Sequence, residues 1–328
     1  MGVNPGTVSR ALTNFPGISE ETRRRVWEVA DREGFRPRPI SRRAVSIAAL
    51  IQTQKEGLDL LSPYTDAVLE GMWEYAQTAN VEMAFFSGSV ADLNERGLIR
   101  RMGRRGIDGV VVINSNDDSR YLKSLRSKRF PYCCVMSAPD GFEDSLVSVD
   151  NRQVGFRAAT HLLELGHRRV AVFIGAVHFK AHQDRLEGVR RAFAKAGIPL
   201  DKTLIVQGSA DYADGFAFGC GGVRQLFRDK RDVTAIFTMD TQEAIGAIRG
   251  LSEAGKSVPA DVSVVTCDDS PLAANMIPAL TVMDIPNRRL GYDAMRRVHA
   301  SLESGATPSL PPALEVDIIV RESSVGKR

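Results

Sequence analysis

Residues 146–175 read "LVSVDNRQVGFRAATHLLELGHRRVAVFIG". "LVSV" is a short apolar run with a β-forming composition. A helical pattern follows over Arg152–Leu165, and "RVAVFIG" is a second, fully apolar run. Asp150 stands where its side chain can cap the helix that opens at Asn151. A strand, a helix and another apolar strand make the repeating unit of a parallel sheet covered on both faces.

The same rhythm extends in both directions. Upstream lie "VSIAALI", a helix near Pro63–Ala79, "VEMAFF", a helix near Leu93–Gly103, "IDGVVVI", a helix near Ser119–Ser127 and "PYCCVM". Downstream come a helix over Asp184–Ala196, "TLIV", a helix through Val223–Phe227, "VTAIFT", a helix over Gln242–Ala254 and "DVSVVTCD". The expected class is α/β, with two doubly wound parallel-sheet subdomains. Their ligand cleft is expected outside the carboxyl ends of the strands.

Before this body lies a different region. Asn4 can cap a short helix that begins with Pro5 and carries Thr7, Val8, Ser9 and Arg10. "PGIS" breaks it, and Ser19 followed by Glu20 and Glu21 opens a second helix that stops at Gly34. "RPRPISRR", residues 36–43, has two prolines and four arginines, so it reads as an extended linker. Residues 1–43 carry nine arginines against five acids, a net +4 that leaves −1 for the rest of the 328-residue chain. A basic head on a near-neutral body favours contact with a polyanion through the head. The expected organisation is a headpiece over 1–35, a linker over 36–45 and a ligand-binding body over 46–328. Its first subdomain takes about 46–150 and 284–308, its second about 151–283 and 309–328.

Several function classes find no support. No apolar run is long enough to span a membrane, and no secretion signal follows Met1, which places the chain in the cytoplasm. Cys133, Cys134, Cys220 and Cys267 sit in or beside apolar segments, as buried free thiols would. Neither nucleotide-binding glycine signature is present, no G-x-S-x-G elbow occurs, and the glycines of "GFAFGCGG" have the wrong spacing for a phosphate loop. His178 and His182 are four apart but lack the neighbouring glutamate of a zinc-binding helix. His161 and His167 flank a helix end and read as surface or capping residues. No catalytic set, metal or cofactor is expected.

The run "GVNPGTVSRALTNFPGISEETRRRVWEVADREGF" resembles the headpiece of the lactose repressor/galactose repressor family of bacterial regulators. Its marks are Gly2-Val3-Asn4, Thr7-Val8-Ser9-Arg10 and Ser19-Glu20-Glu21-Thr22-Arg23. The likeness continues through residues 147–175, through "DRLEGVRRAF", through "VPADVSVVTCDDSPLAANMIPALTVMDIPNRRLG" and to "LEVDIIVRESS". It implies a type I periplasmic-binding-protein-like body behind a partial helix-turn-helix headpiece. It also implies an effector-responsive regulator, most simply a repressor, that binds operator DNA as a homodimer. Its effector would be a sugar or sugar derivative in the cleft between the subdomains. The competing expectation is a cytoplasmic small-molecule-binding protein whose incomplete headpiece does not bind DNA.

The resemblance also assigns residues. In the headpiece Thr7, Ser9 and the helix N-terminus at Asn4 would hold phosphates, Arg10 would reach a guanine edge, and Thr13 or Asn14 would add contacts. Pro5 and Gly6 occupy positions that usually read bases, so direct readout is expected to be thin. In the body Arg185 matches the effector-clamping arginine, and Asp268 matches the carboxylate that accepts from ligand hydroxyls. Asp240, Asp150 and Tyr64 match further cleft positions, although Asp240 and Asp150 could instead cap helices. Tyr212 or Phe216 would pack on the ligand from the opposite wall.

Two departures from the family pattern stand out. Family members carry a further helix of about ten residues before the Gly-Val turn, so the native start is expected upstream of Met1. The linker is also short and lacks the family's hinge leucine. Arg42 and Arg43 are expected to enter the minor groove in its place, with a preference for narrow A·T tracts.

Overall fold

The computed structural model describes residues 4–12, 18–32, 44–53, 62–94, 97–113, 115–116, 119–175, 177–208, 214–310 and 312–326. It divides into two compact units, Met1–Val45 and Ser46–Arg328.

In the first unit α1 (Pro5–Leu12) and α2 (Glu20–Arg32) pack together. Asn4 Oδ1 accepts from the Gly6 amide at 2.7 Å and Ser19 Oγ from the Thr22 amide at 3.3 Å, so both helices start where their capping residues stand. Among the described residues, Ala11, Val26 and Ala30 are the buried apolar residues of this pair.

The second unit contains two sheets. The first uses β1 (Ser46–Thr53), β2 (Glu82–Ser89), β3 (Gly109–Ile113), β4 (Tyr132–Val135) and β5 (Leu146–Val147) in the order β2-β1-β3-β4-β5, all parallel. Its helices are α3 (Pro63–Ala79), α4 (Val90–Asn94), α5 (Leu98–Arg104) and α6 (Tyr121–Ser127). The chain crosses after Val149 into α7 (Asn151–Glu164). The second sheet follows with β6 (Val170–Ile174), α8 (Lys180–Lys195), β7 (Ile205–Gln207), α9 (Gly215–Arg228), β8 (Ala235–Thr238), α10 (Thr241–Glu253), β9 (Ser263–Cys267), α11 (Pro271–Ala274) and β10 (Thr281–Asp284). Next α12 (Asn287–Ser304) packs back on α3, β1, β3, β4 and β5. The chain then returns to β11 (Asp317–Ile319), which pairs antiparallel with β10. The second sheet runs β11-β10-β9-β8-β6-β7. A bridge between Val149 and Leu314 lays two of the crossings side by side. Two doubly wound sheets, parallel except for β11, are therefore present.

Helix pairs touch through glycine. A Cβ on Gly155 of α7 would lie 1.8 Å from the Arg185 carbonyl oxygen of α8, and one on Gly188 would lie 2.0 Å from that of Arg152. Backbone meets backbone at this crossing, which fixes Arg185 relative to α7.

Some boundaries differ from the sequence reading. The expected helix over 93–103 is two helices, α4 and α5, separated before Gly97, whose φ is +95°. α8 begins at Lys180 rather than Asp184. The glycine-rich "GFAFGCGG" is helical, because Asp214 caps the Ala217 amide at 3.0 Å and Gly219 and Gly222 admit close neighbours. α11, β10, α12 and β11 continue the series past "DVSVVTCD". His167 is not a surface residue. It is 3% exposed and bonds Thr234 Oγ1 and the Val325 carbonyl, both at 3.1 Å, because the C-terminal segment folds back over it. His161 likewise meets Ser324 Oγ at 3.0 Å. All four cysteines are buried free thiols.

Candidate functional site

Each sheet has a point where its order reverses, at β1/β3 in the first and β6/β8 in the second. Ligands in open α/β sheets bind outside the carboxyl ends at such points. The residues that follow these strands build the site.

Arg185, on α8, is 2% exposed. Its Nε donates to Asn151 Oδ1 at 3.0 Å and its Nη1 to the Met239 carbonyl at 2.7 Å, while Nη2 faces the Met136 sulfur at 3.7 Å. A guanidinium held on two sides keeps one rotamer, so little entropy is left to lose when a ligand meets the third nitrogen.

Asp268 follows β9 and is 5% exposed, with φ +69°. Asn287 Nδ2 donates to its Oδ1 at 2.7 Å, and Thr241 Oγ1 donates to its carbonyl at 2.9 Å. A non-glycine residue held in the left-handed region is strained, and neighbours on both sides maintain it here. Burial raises the Asp268 carboxyl above its usual range, and the charge of Arg185 works against that rise.

Asp240 follows β8 and accepts from the Glu243 amide at 2.9 Å as the N-cap of α10. Burial pushes its carboxyl up to about 6; the Glu243 amide pulls against this, and the negative charge of Asp268 adds to it. Tyr64, in the first turn of α3, donates to the Val135 carbonyl at 3.3 Å. Burial raises its phenol, and Asp268 and Arg185 both act on it electrostatically. Arg185, Asp268, Asp240 and Tyr64 thus form one electrostatic cluster.

Other expected site residues lie beside or beyond this cluster. Asp150 is exposed and caps α7, accepting from the Arg152 and Gln153 amides at 3.0 and 3.1 Å. It lines an adjoining pocket of about 350 Å³ with Met136, Asn151, Lys180 and Asp184. Phe216 is 42% exposed in the first turn of α9. In the headpiece Asn4 is occupied as a cap and Thr7 is half-buried on α1. Ser9 and Arg10 lie on α1, with side chains outside the described residues, as are Thr13, Asn14, Arg42, Arg43 and Tyr212. His182 lies on α8, and the ring of His178 sits 4.4 Å from that of Phe179. Among the described residues no three His, Cys, Asp or Glu side chains gather as metal ligands. No helix there is long and apolar enough to cross a membrane.

The sequence reading missed Asn151 and Asn287, which hold Arg185 and Asp268. It also missed Gln52, Thr65 and Ser137. Gln52 is 2% exposed at the end of β1. A polar side chain closing an apolar strand was the available signal.

Residues 159–324 match the family described as the periplasmic binding protein-like domain. The chain is 28% identical over 330 residues to the HTH-type transcriptional regulator CelR of Thermobifida fusca, covering 98% of this chain and 95% of that protein. It is 26% identical over 331 residues to the regulator DegA of Bacillus subtilis, with the same coverage. Among solved structures a transcriptional regulator CelR-cellobiose complex superposes with a TM-score of 0.75 at 27% identity, covering 98% of this chain and 97% of that one. The Escherichia coli repressor ascG shares the fold with a TM-score of 0.69 at 23% identity, covering 86% and 100%.

Proposed function

Because the chain belongs to the lactose repressor/galactose repressor family of regulators with a periplasmic-binding-protein-like body, we propose that it binds operator DNA as a homodimer and releases or tightens it in response to a sugar. The observation that carries this reading is the cluster of buried Arg185 and Asp268 with half-buried Asp240 beyond the carboxyl ends of the second sheet. A fixed guanidinium beside carboxylates is the chemistry that grips vicinal hydroxyls. The cellobiose complex of the similar regulator points to the same ligand class.

Subdomain 1 carries β1–β5 with α12, and subdomain 2 carries β6–β11. A ligand bridging the two would favour one relative orientation, and paired headpieces would then meet their half-sites at a new spacing. Helix α1 would enter the major groove with Arg10 toward guanine. Asn4, Thr7, Ser9, Thr13 and Asn14 would serve the backbone, and Arg42 and Arg43 the minor groove. In the cleft Tyr64, Asp150, Tyr212 and Phe216 would complete the wall around the central three residues. The setting is the cytoplasm.

The test is fluorescence anisotropy of the full-length protein on a duplex from the promoter of its own gene, with and without cellobiose. Specific binding that cellobiose or another neutral sugar changes by tenfold or more, about 1.4 kcal/mol, supports the reading. Binding no tighter than to random duplex at the same salt removes the DNA half of it.

A further inference from the structure

Four polar atoms placed at or just beyond strand carboxyl ends are buried and unpartnered: Gln52 Nε2 near the end of β1, Thr65 Oγ1 in the first turn of α3, Ser137 Oγ after β4 and Asn287 Oδ1 after β10. Their residues are 2%, 0%, 5% and 3% exposed. An orphaned buried polar group loses its water without replacement, so proteins rarely keep four in one region.

Their orientation is imposed. Gln52 Oε1 takes the hydroxyls of Ser119 at 2.6 Å and Tyr121 at 3.1 Å, which leaves the amide Nε2 as the free end. Asn287 spends its Nδ2 on Asp268, which leaves Oδ1. Ser137 has its carbonyl taken by Ser115 Oγ at 2.5 Å, while its own hydroxyl stays open. The set therefore offers one pure donor, one pure acceptor and two hydroxyls that do either.

The charges nearby are unbalanced. Asp240 and Asp268 face one guanidinium, Arg185. On the adjoining pocket Lys180 is paired with Asp140 and Arg152 with Asp184, both at 3.1 Å, and Glu143 and Asp150 add negative charge. A phosphate or carboxylate entering here would meet an excess of carboxylates.

We infer that Gln52, Thr65, Ser137 and Asn287 form an uncharged hydrogen-bonding subsite for a neutral polyhydroxylated ligand, and that the cleft excludes phosphorylated and carboxylated sugars. The inference rests on the proposed reading of the cleft as a sugar site. Hydroxyls suit it because each donates and accepts, matching a mixed array without bringing charge. The labour divides between walls. Subdomain 2 supplies the charged grip, and Gln52, Thr65 and Ser137 of subdomain 1 gain partners only when the ligand reaches both.

Melting of the full-length protein is measured with cellobiose, maltose and glucose, and with glucose 6-phosphate and glucuronate. A neutral sugar is expected to raise the midpoint by about 5 °C at roughly 100-fold over its Kd. The two anions are expected to bind at least about 100-fold more weakly than the neutral sugar. Stabilisation by an anion but not by its neutral parent overturns the inference while leaving a sugar site standing. No shift with any of the five overturns the sugar reading itself, and the inference with it.

Two variants supply a ligand-free check. Thr65→Val and Ser137→Ala should leave the ligand-free midpoint unchanged or higher, because no hydrogen bond is lost, and should weaken sugar binding about tenfold. Ser115→Ala, which removes a made bond, should lower the midpoint. Thr65→Val and Ser137→Ala proteins that melt as low as Ser115→Ala would show satisfied hydroxyls and overturn the inference.

Discussion

Asn287 donates its side-chain amide to Asp268 at 2.7 Å, and the two residues belong to elements that serve different sheets. Asp268 directly follows β9 of the second sheet, whereas Asn287 is the first residue of α12, which packs on the first. A ligand hydroxyl that binds Asp268 therefore acts on a carboxylate already tied to the helix of the other subdomain. Asn287→Ala strips that partner from a buried acid. The expected cost is about 1–3 kcal/mol of stability, read in a denaturant melt, together with weaker sugar binding.

Asp240 gives a pH signature. Its folded-state carboxyl is pushed up to about 6 from 3.8, so folding favours the protonated form. That contribution is complete below pH 3.8 and is lost as pH rises through about 6. Asn caps a helix as well as Asp does and stays neutral. Relative to wild type, ligand-free Asp240→Asn should therefore gain stability between pH 4 and pH 7, by on the order of 2 kcal/mol. Urea melts across that range check it; parallel pH profiles for the two proteins would refute it.

The fold was legible wherever pattern is local. Apolar runs such as residues 170–174 and 263–267 are strands buried along their whole length, and Asp150 and Ser19 cap the helices they precede. Only the second half of α9, through Val223–Phe227, was legible, because glycine is a poor helix former in isolation and the first half is glycine-rich. Its glycines are there for contact, Gly219 against the Glu243 carbonyl and Gly222 against Phe173, and tertiary packing outweighs propensity. Arg185 and Asp268 stood out by resemblance, while the partners that orient them did not. Asn151 lies 34 residues from Arg185 and Asn287 lies 19 from Asp268, so folding alone brings them together. His167 misled for the same reason, since its partner Val325 is 158 residues away.

Gly155 ties stability to the site. An alanine there would place its Cβ 1.8 Å from the Arg185 carbonyl oxygen, so α7 and α8 must move apart. Arg185 would move with α8, away from Asn151. Gly155→Ala should cost about 3 kcal/mol and weaken sugar binding more than tenfold. Gly221, with open space around it on α9, is the control. Gly221→Ala should be neutral or stabilising by up to about 1 kcal/mol, since alanine is the better helix former. Calorimetric melts and sugar titrations of the two variants separate steric from propensity effects.

Trp73 and Phe85 bear on the proposed dimer. They are 57% and 59% exposed, on α3 and on β2, the edge strand of the first sheet. Large aromatics left in water on adjoining elements favour burial against another surface, and a second copy presents the same pair by two-fold symmetry. Replacing both by glutamate puts four like charges into that contact. Light scattering at micromolar concentration should then report a monomer, with unchanged far-UV circular dichroism and an unchanged sugar-induced melting shift. Operator affinity should fall by about 100-fold or more, because each headpiece would hold its half-site without a tethered partner. A double variant that stays dimeric and keeps its operator affinity would move the interface to another face.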